Sequence, residues 1–206
     1  MRVIDWSRFL ENGLPIERKL SSMTVGLFDG MHRGHQALIE RVVSGNLNGT
    51  PLSLVPVVVT FAKNHKLTRG QNKERAADIQ SFQERLETLE KLGVQITIAI
   101  DFTESFRKIT GNEFLNALFK NGNIGFFAVG SGFRCGFRLD TDAAAIQKFF
   151  AARGVSVEIV PEVMEGSLPI SSSRIRQALA SGDIALAETM LGYKPGSFQK
   201  LARRGR

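Results

Sequence analysis

Five short apolar, β-branched runs, each separated from the next by a longer amphipathic stretch, constrain this chain more than any other feature. They occupy residues 23–28 (MTVGLF), 54–61 (LVPVVVTF), 94–100 (VQITIAI), 124–129 (IGFFAV) and 155–160 (VSVEIV). Runs apolar throughout are strands buried on both faces, the condition of a parallel sheet covered by crossover helices. Between them residues 34–43, 79–92, 111–120 and 142–153 carry apolar side chains three or four apart, the period of a helix with one buried face. Residues 172–180 and 183–191 add two short helices. The expected fold is therefore α/β, an open, mostly parallel sheet of about five strands with helices on both faces. Pro56 lies inside the second run, where proline cannot donate to a ladder, and predicts an edge position or a later strand start.

At 206 residues the chain holds one domain, with room for a small appendage. No apolar run approaches the roughly 18 residues that cross a bilayer, and the opening MRVIDWSRFLENG lacks the basic-then-apolar pattern of an export signal. A single cysteine, Cys135, excludes an internal disulfide and paired thiolates around a metal, which fits a reducing cytoplasm. Of a net charge of +7, five charges sit in the last fourteen residues, on Lys194, Lys200, Arg203, Arg204 and Arg206. The remaining body is close to neutral and offers no stripe for a phosphodiester backbone, so no nucleic-acid partner is expected. The polar stretch 63–73 (KNHKLTRGQNK) reads as the longest loop, placed after a strand where open α/β sheets hold ligands.

The most informative string is TVGLFDGMHRGH, residues 24–35. A strand ends in a turn bearing Gly26, Phe28, Asp29 and Gly30, and the helix that follows opens with His32, Gly34 and His35. Two of the chain's three histidines thus fall three residues apart on one face of a first helical turn. Backbone N–H groups, the positive end of a helix dipole and two imidazoles at one place describe a phosphate site. Gly26 and Gly30 permit the turn and a close approach of ligand to backbone, and Gly34 leaves the space between the histidines open.

A second string, ISSSRIR at residues 170–176, runs into QALASGDIALAETMLG. Ser171, Ser172 and Ser173 before an apolar-periodic run are helix-cap residues, because their hydroxyls accept from free N–H groups. The same groups can hold a polyphosphate, and Arg174 and Arg176 bring permanent positive charge within one turn. Gly182 and Asp183 read as the punctuation between two helices. By contrast GSGFRCG, residues 130–136, is no dinucleotide fingerprint, since its glycines fall at relative positions one, three and seven. Cys135, with no histidine near it in sequence, reads as a small apolar residue.

Taken together, TVGLFDGMHRGHQALI and ISSSRIRQALASGDIALAETMLGYKP resemble the adenylyltransferase module of the bacterial FAD synthetases, which is usually fused to a riboflavin kinase. The resemblance runs from about Thr24 to Tyr193 and includes IDFTESF at residues 100–106. These enzymes belong to the nucleotidylyl transferases marked by a histidine, any residue, glycine, histidine signature. The resemblance implies a Rossmann-like sheet and transfer of AMP from ATP to FMN with Mg²⁺, giving FAD and pyrophosphate. It implies one adenylyltransferase domain over residues 1–193, a basic tail over 194–206 and no riboflavin kinase. Three segments depart from the family's pattern. Thr60 and Phe61 are followed by Ala62, Lys63, Asn64 and His65 in place of an acid and a proline, histidine, proline string. Gly132 stands where the family has Asp or Asn, with Cys135 for a second phenylalanine. Pro169 replaces an arginine found in some relatives.

The chemistry so implied needs no general base, because a phosphate acceptor is already ionised at neutral pH. Positioning and charge neutralisation then do the work. His32, His35 and Arg176 are the expected catalytic residues. Gly26, Phe28, Asp29, Ser171, Ser172 and Ser173 join them in holding ATP, and Phe61, Asn64 and Phe133 are candidate contacts for the flavin. Magnesium would take water and phosphate oxygens, and no ligand residue is assigned to it. The rival expectations are a nucleotidylyl transferase for another phosphorylated acceptor, such as phosphopantetheine or glycerol phosphate, and a flavin-nucleotide binder without turnover.

Overall fold

A computed structural model describes residues 1–47, 50–51, 53–62 and 78–194. The stretch 63–73, with Asn64 and His65, and nearly all of the basic tail lie outside the described residues.

Six strands form one sheet: β1 (Arg2–Asp5), β2 (Ser21–Val25), β3 (Val55–Phe61), β4 (Ile96–Ile100), β5 (Ile124–Gly130) and β6 (Ser156–Val160). Their order is β1-β4-β3-β2-β5-β6, and every pairing is parallel. The α/β class stands, with one strand more than expected. The addition is β1, whose RVID pairs with β4 from Arg2↔Ile96 to Asp5↔Ala99. Four residues with one buried side chain make too short a run to stand out as apolar. The following helix, α1 (Trp6–Asn12), was not expected either; Asp5 caps it by accepting from the Arg8 N–H at 2.8 Å.

The strands expected from the apolar runs are all present with shifted ends. The first covers 21–25 and not 23–28, because Phe28 takes a left-handed φ of 52° and leaves the sheet. Pro56 is the second residue of β3, which is a central strand and not an edge. Its carbonyl accepts from Gln95 N–H at 3.0 Å, and the ladder with β4 begins only at Val57↔Ile96, so no donor is needed at Pro56.

Five further helices follow the expected pattern: α2 (Arg33–Ser44), α3 (Phe82–Lys91), α4 (Gly111–Gly122), α5 (Ala143–Ala151) and α6 (Ser172–Ala180). The last, α7 (Ile184–Leu191), is capped by Asp183. Helix α3 starts three residues later than expected, where Ser81 and Glu84 close a capping box and fix its first turn. One face of the sheet packs on α1, α4 and α5 through Phe9, Phe114, Leu118, Ile146 and Phe150. The other packs on α2 and α3 through Leu38, Ile39, Val42 and Leu89. A third cluster, with Ile175, Ala187, Met190 and Leu191, joins α6 to α7 and to Ile79 ahead of α3.

The chain winds from β2 through β3 to β4 on one side and continues in β5 and β6 on the other. The order reverses between β2 and β5, and open α/β sheets leave a crevice there at the carboxyl ends of the strands. Among the described residues no helix is long and apolar enough to cross a membrane.

Candidate active site

Residues 26–32 leave the carboxyl end of β2 in a turn unlike regular secondary structure. Phe28 and Met31 both have positive φ, 52° and 35°, conformations that L side chains adopt only when their surroundings enforce them. Gly26 is required there by contact, since a Cβ would lie 2.8 Å from the Phe28 ring. Gly30, at φ 80°, would strike Ile79 at 2.9 Å.

His32 is the N-cap of α2 and not its first helical residue. Its Nδ1 accepts the backbone N–H of His35 at 3.3 Å. Accepting at Nδ1 places the proton of the neutral ring on Nε2, which leaves a donor for a ligand. The His35 imidazole stacks on His32 with centroids 3.6 Å apart and an interplanar angle of 18°, and the Phe28 ring meets His35 edge-on at 5.2 Å. Burial of His32, 6% exposed, pushes its pKa down to about 4, so it is neutral at physiological pH.

Asp29 joins the two sequence strings. Its Oδ1 accepts from the N–H groups of Ile79 (3.0 Å) and Gln80 (3.3 Å), and its Oδ2 accepts from Arg176 Nη2. The Asp29 carbonyl accepts from Ser172 Oγ at 2.9 Å. Desolvation raises the pKa of this buried carboxyl, and the guanidinium of Arg176 opposes the rise. Ser171 caps α6 by accepting from the Arg174 N–H at 3.3 Å. Arg174 itself turns away, donating to the carbonyls of Leu168 (2.8 Å) and Pro169 (2.7 Å). Tyr193, just past α7, donates to the Gly30 carbonyl at 2.8 Å.

These groups open onto one cavity of about 690 Å³, a size ordinary for nucleotide-like ligands. Gly26, Phe28, Asp29, His32, His35, Ser171, Ser172, Ser173 and Arg176 all line it, as do Phe61 and Phe133. Asn64 lies outside the described residues. Helix α2 and helix α6 thus present their N-termini to the same space, among polar, donor-bearing side chains.

The cavity also has a cluster of aromatic side chains, most of which was not anticipated. Phe102 and Phe106 line it beside Phe61, with centroid separations of 5.7 Å and 6.0 Å from the Phe61 ring and 5.6 Å between the two. The available signal was the FTESF string at residues 102–106 following a strand, in which nothing says that both rings point toward the site. Gly132 and Cys135 also line the cavity; a Cβ at 132 would meet Glu162 Oε1 at 3.1 Å. Burial, reinforced by Asp140, pushes the Cys135 thiol up to about 12, which leaves it un-ionised and unreactive. Among the described residues no cluster of three histidine, cysteine or acidic side chains is arranged to hold a metal.

Comparison with known proteins places this geometry among relatives. A family model described as FAD synthetase matches residues 15–174. The bifunctional riboflavin kinase/FMN adenylyltransferase of Escherichia coli (strain K12) is 33% identical over 172 residues, covering 83% of this chain and 54% of the relative. The chain therefore spans about half the length of the curated relatives it matches. Among solved structures, one named macrolide-efflux protein from Streptococcus pneumoniae superposes with a TM-score of 0.79 at 28% identity, covering 94% of this chain and 60% of that one. Pantothenate synthetase from Thermus thermophilus superposes with a TM-score of 0.51 at 16% identity, over 100% of this chain and 82% of that one, a likeness of fold alone.

Proposed function

Since the chain belongs to the FAD synthetase family, we propose that it transfers the adenylyl group of ATP to FMN, giving FAD and pyrophosphate. The observation that carries this reading is one cavity lined by two kinds of group. Stacked His32 and His35, the serine cap of α6 and Arg176 line it together with Phe61, Phe102, Phe106 and Phe133. The polar groups suit a polyphosphate. The aromatic rings suit a flat heterocycle, and they favour FMN over phosphopantetheine or glycerol phosphate, which have no ring to stack there.

In this reading MgATP lies with its triphosphate across the N-termini of α2 and α6. A terminal phosphate oxygen of FMN attacks the α-phosphorus in line. As that O–P bond forms, the bond from the α-phosphorus to its bridging oxygen breaks, and pyrophosphate departs with that oxygen. His32, neutral and protonated on Nε2, donates to the α-phosphate oxygens where charge accumulates, with His35 beside it. Ser172, Ser173 and the N–H groups of α6 take the β- and γ-phosphates. Arg176 contributes by exchanging its bond to Asp29 for a phosphate oxygen. Asp29 ties the turn to α6 until the phosphates take over Ser172 and Arg176, and keeps its bonds to the Ile79 and Gln80 N–H groups throughout. Phe133 and Phe61 are assigned to the flavin side.

The domain that carries this activity is assigned to residues 1–193, with 194–206 a basic extension, and the single cysteine favours a cytoplasmic setting. Riboflavin is not an acceptor in this scheme, because it brings no phosphate with which to attack. The test is to incubate the purified chain with ATP, Mg²⁺ and either FMN or riboflavin. FAD and pyrophosphate from FMN, with nothing from riboflavin, is the expected result. No FAD from FMN refutes adenylyl transfer to flavin, and phosphorylated riboflavin refutes the single-activity reading.

A further inference from the structure

Arg85 is the largest side chain buried to 1% exposure, and the chemistry above makes no use of it. It sits on α3 at the position that shares a face with Leu89, where an apolar residue would cover the sheet. Its Nη1 donates to the carbonyls of Leu27 (2.7 Å) and Phe61 (2.9 Å) and lies 3.2 Å from Thr60 Oγ1. The other two of its three nitrogens, Nε and Nη2, are buried with no hydrogen-bond partner among the described residues, and a guanidinium so buried costs stability relative to an aliphatic side chain of the same length. Stability alone does not account for it.

Its location does. The ladder between β2 and β3 runs from Ser21↔Val55 to Val25↔Val59, and its last rung is Gly26 N–H to the Val59 carbonyl at 3.0 Å. Beyond that rung β2 gives way to the turn that carries Asp29 and His32. The next residues are Leu27 and Thr60, whose Oγ1 donates to the Leu27 carbonyl at 3.2 Å, and one position further on the Nη1 of Arg85 spans the carbonyls of Leu27 and Phe61. Both Leu27 and Phe61 line the cavity, whereas Arg85 does not. Leu27 leads into the turn that carries the polyphosphate groups, and Phe61 belongs to the aromatic cluster.

We propose that Arg85 is a positioning residue that fixes the spacing between the two substrate halves of the site, its Nη1 joining Leu27, Thr60 and Phe61 where the backbone ladder between β2 and β3 has stopped. Electrostatics are consistent with this, because the cation lies close enough to stabilise the ionised form of Asp29 within the same turn. The inference rests on the adenylyl-transfer reading. A strut between two binding halves has a distinct signature. Each half still binds its own substrate when the strut is removed, while the reacting atoms lose alignment. A misplacement of about 1 Å costs roughly 10²-fold in rate.

The experiment compares wild type, Arg85→Met and Arg85→Lys by thermal melting, by titration calorimetry with MgATP and with FMN separately, and by steady-state FAD formation. Arg85→Met is expected to fold, to melt somewhat lower than wild type because the Leu27 and Phe61 carbonyls lose this donor, and to bind each substrate within about 3-fold of wild type. Its kcat should fall on the order of 10²-fold. Arg85→Lys, which keeps a cation and a donor on the same side of α3, should recover part of that loss. A folded Arg85→Met with wild-type kcat overturns the proposal. So does a variant whose loss lies entirely in the affinity for one substrate. If Arg85→Met does not fold, the purely structural account is favoured, and wild-type turnover in a folded Arg85→Lys then overturns the proposal completely. Absence of FAD formation in the wild type itself sinks the adenylyl-transfer reading, and the assignment of Arg85 falls with it; FAD formation by wild type with an unimpaired Arg85→Met sinks this inference alone.

Discussion

The imidazole of His32 accepts the backbone N–H of His35 through Nδ1 at 3.3 Å, so one ring both caps α2 and is held in the tautomer that donates from Nε2. The two roles separate on substitution. Asparagine is as good an N-cap as any residue but carries no donor at the position of Nε2. His32→Asn is therefore expected to melt within a few degrees of wild type while kcat falls on the order of 10² to 10³-fold, the effect of losing one donor to a developing oxyanion. His35→Ala should lower kcat comparably. Full turnover in either variant would falsify the assigned role.

Stability should carry the imprint of the same ring. Its pKa is about 4 in the folded protein against an ordinary 6.5, so the unfolded chain takes up a proton first as the pH falls. The stability held by neutral His32 is complete above pH 6.5 and is lost between pH 6.5 and 4, to a total of about 3 kcal/mol at 1.36 kcal/mol per unit. Urea unfolding at pH 7.5 and at pH 5 should show a decline about 2 kcal/mol greater in wild type than in His32→Asn. Equal declines would show that His32 titrates normally in the fold.

Asp29 accepts from Arg176, Ile79 and Gln80 while buried, and its neutral replacement should be costly. Asp29→Asn keeps the size of the side chain but turns an amide N–H₂ toward existing donors. Equilibrium denaturation should show a loss of about 3 kcal/mol, the range for breaking a buried pair from one side. A loss under about 1 kcal/mol would mean that the turn and α6 are held together chiefly by packing.

Two hydroxyls on β2 make an internal control. Ser22 Oγ donates to the Val42 carbonyl at 2.6 Å, whereas Thr24 Oγ1 is buried with no hydrogen-bond partner among the described residues. Thr24→Val should stabilise the fold by about 1 kcal/mol, and Ser22→Ala should destabilise it by a similar amount. Differential scanning calorimetry reads both, and a destabilised Thr24→Val would reveal a partner for that hydroxyl.

In the aromatic cluster, Phe102 is half-buried and contacts Phe61 and Phe106 without being part of the deep core. Phe102→Ala should raise the KM for FMN about ten-fold, equivalent to roughly 1.4 kcal/mol of lost ring contact, and leave the KM for ATP unchanged. A rise in the ATP constant alone would overturn the assignment of these rings to the flavin.

What could be read in advance follows from how local each signal is. The bounds of α6 emerge intact because Ser171 supplies a local cap and the apolar period lies within the helix. The paired histidines, three residues apart, are likewise legible at short range. Strand β1 is not, since four residues with one buried side chain become a strand only by pairing with β4 some ninety positions away. Arg85 is the clearest failure of short-range reading: within QERLETLEK it resembles any solvated charge, and the carbonyls that draw it inward belong to Leu27 and Phe61. Phe102 and Phe106 follow a strand in a string whose composition says nothing about direction.

The hydroxyl of Tyr193 on the Gly30 carbonyl has a mechanical consequence. The reacting turn lies near the start of the chain and its latch near the end of the described fold, so shortening the polypeptide to Leu191 would leave TVGLFDGMHRGH and ISSSRIR intact and would still unfasten the turn.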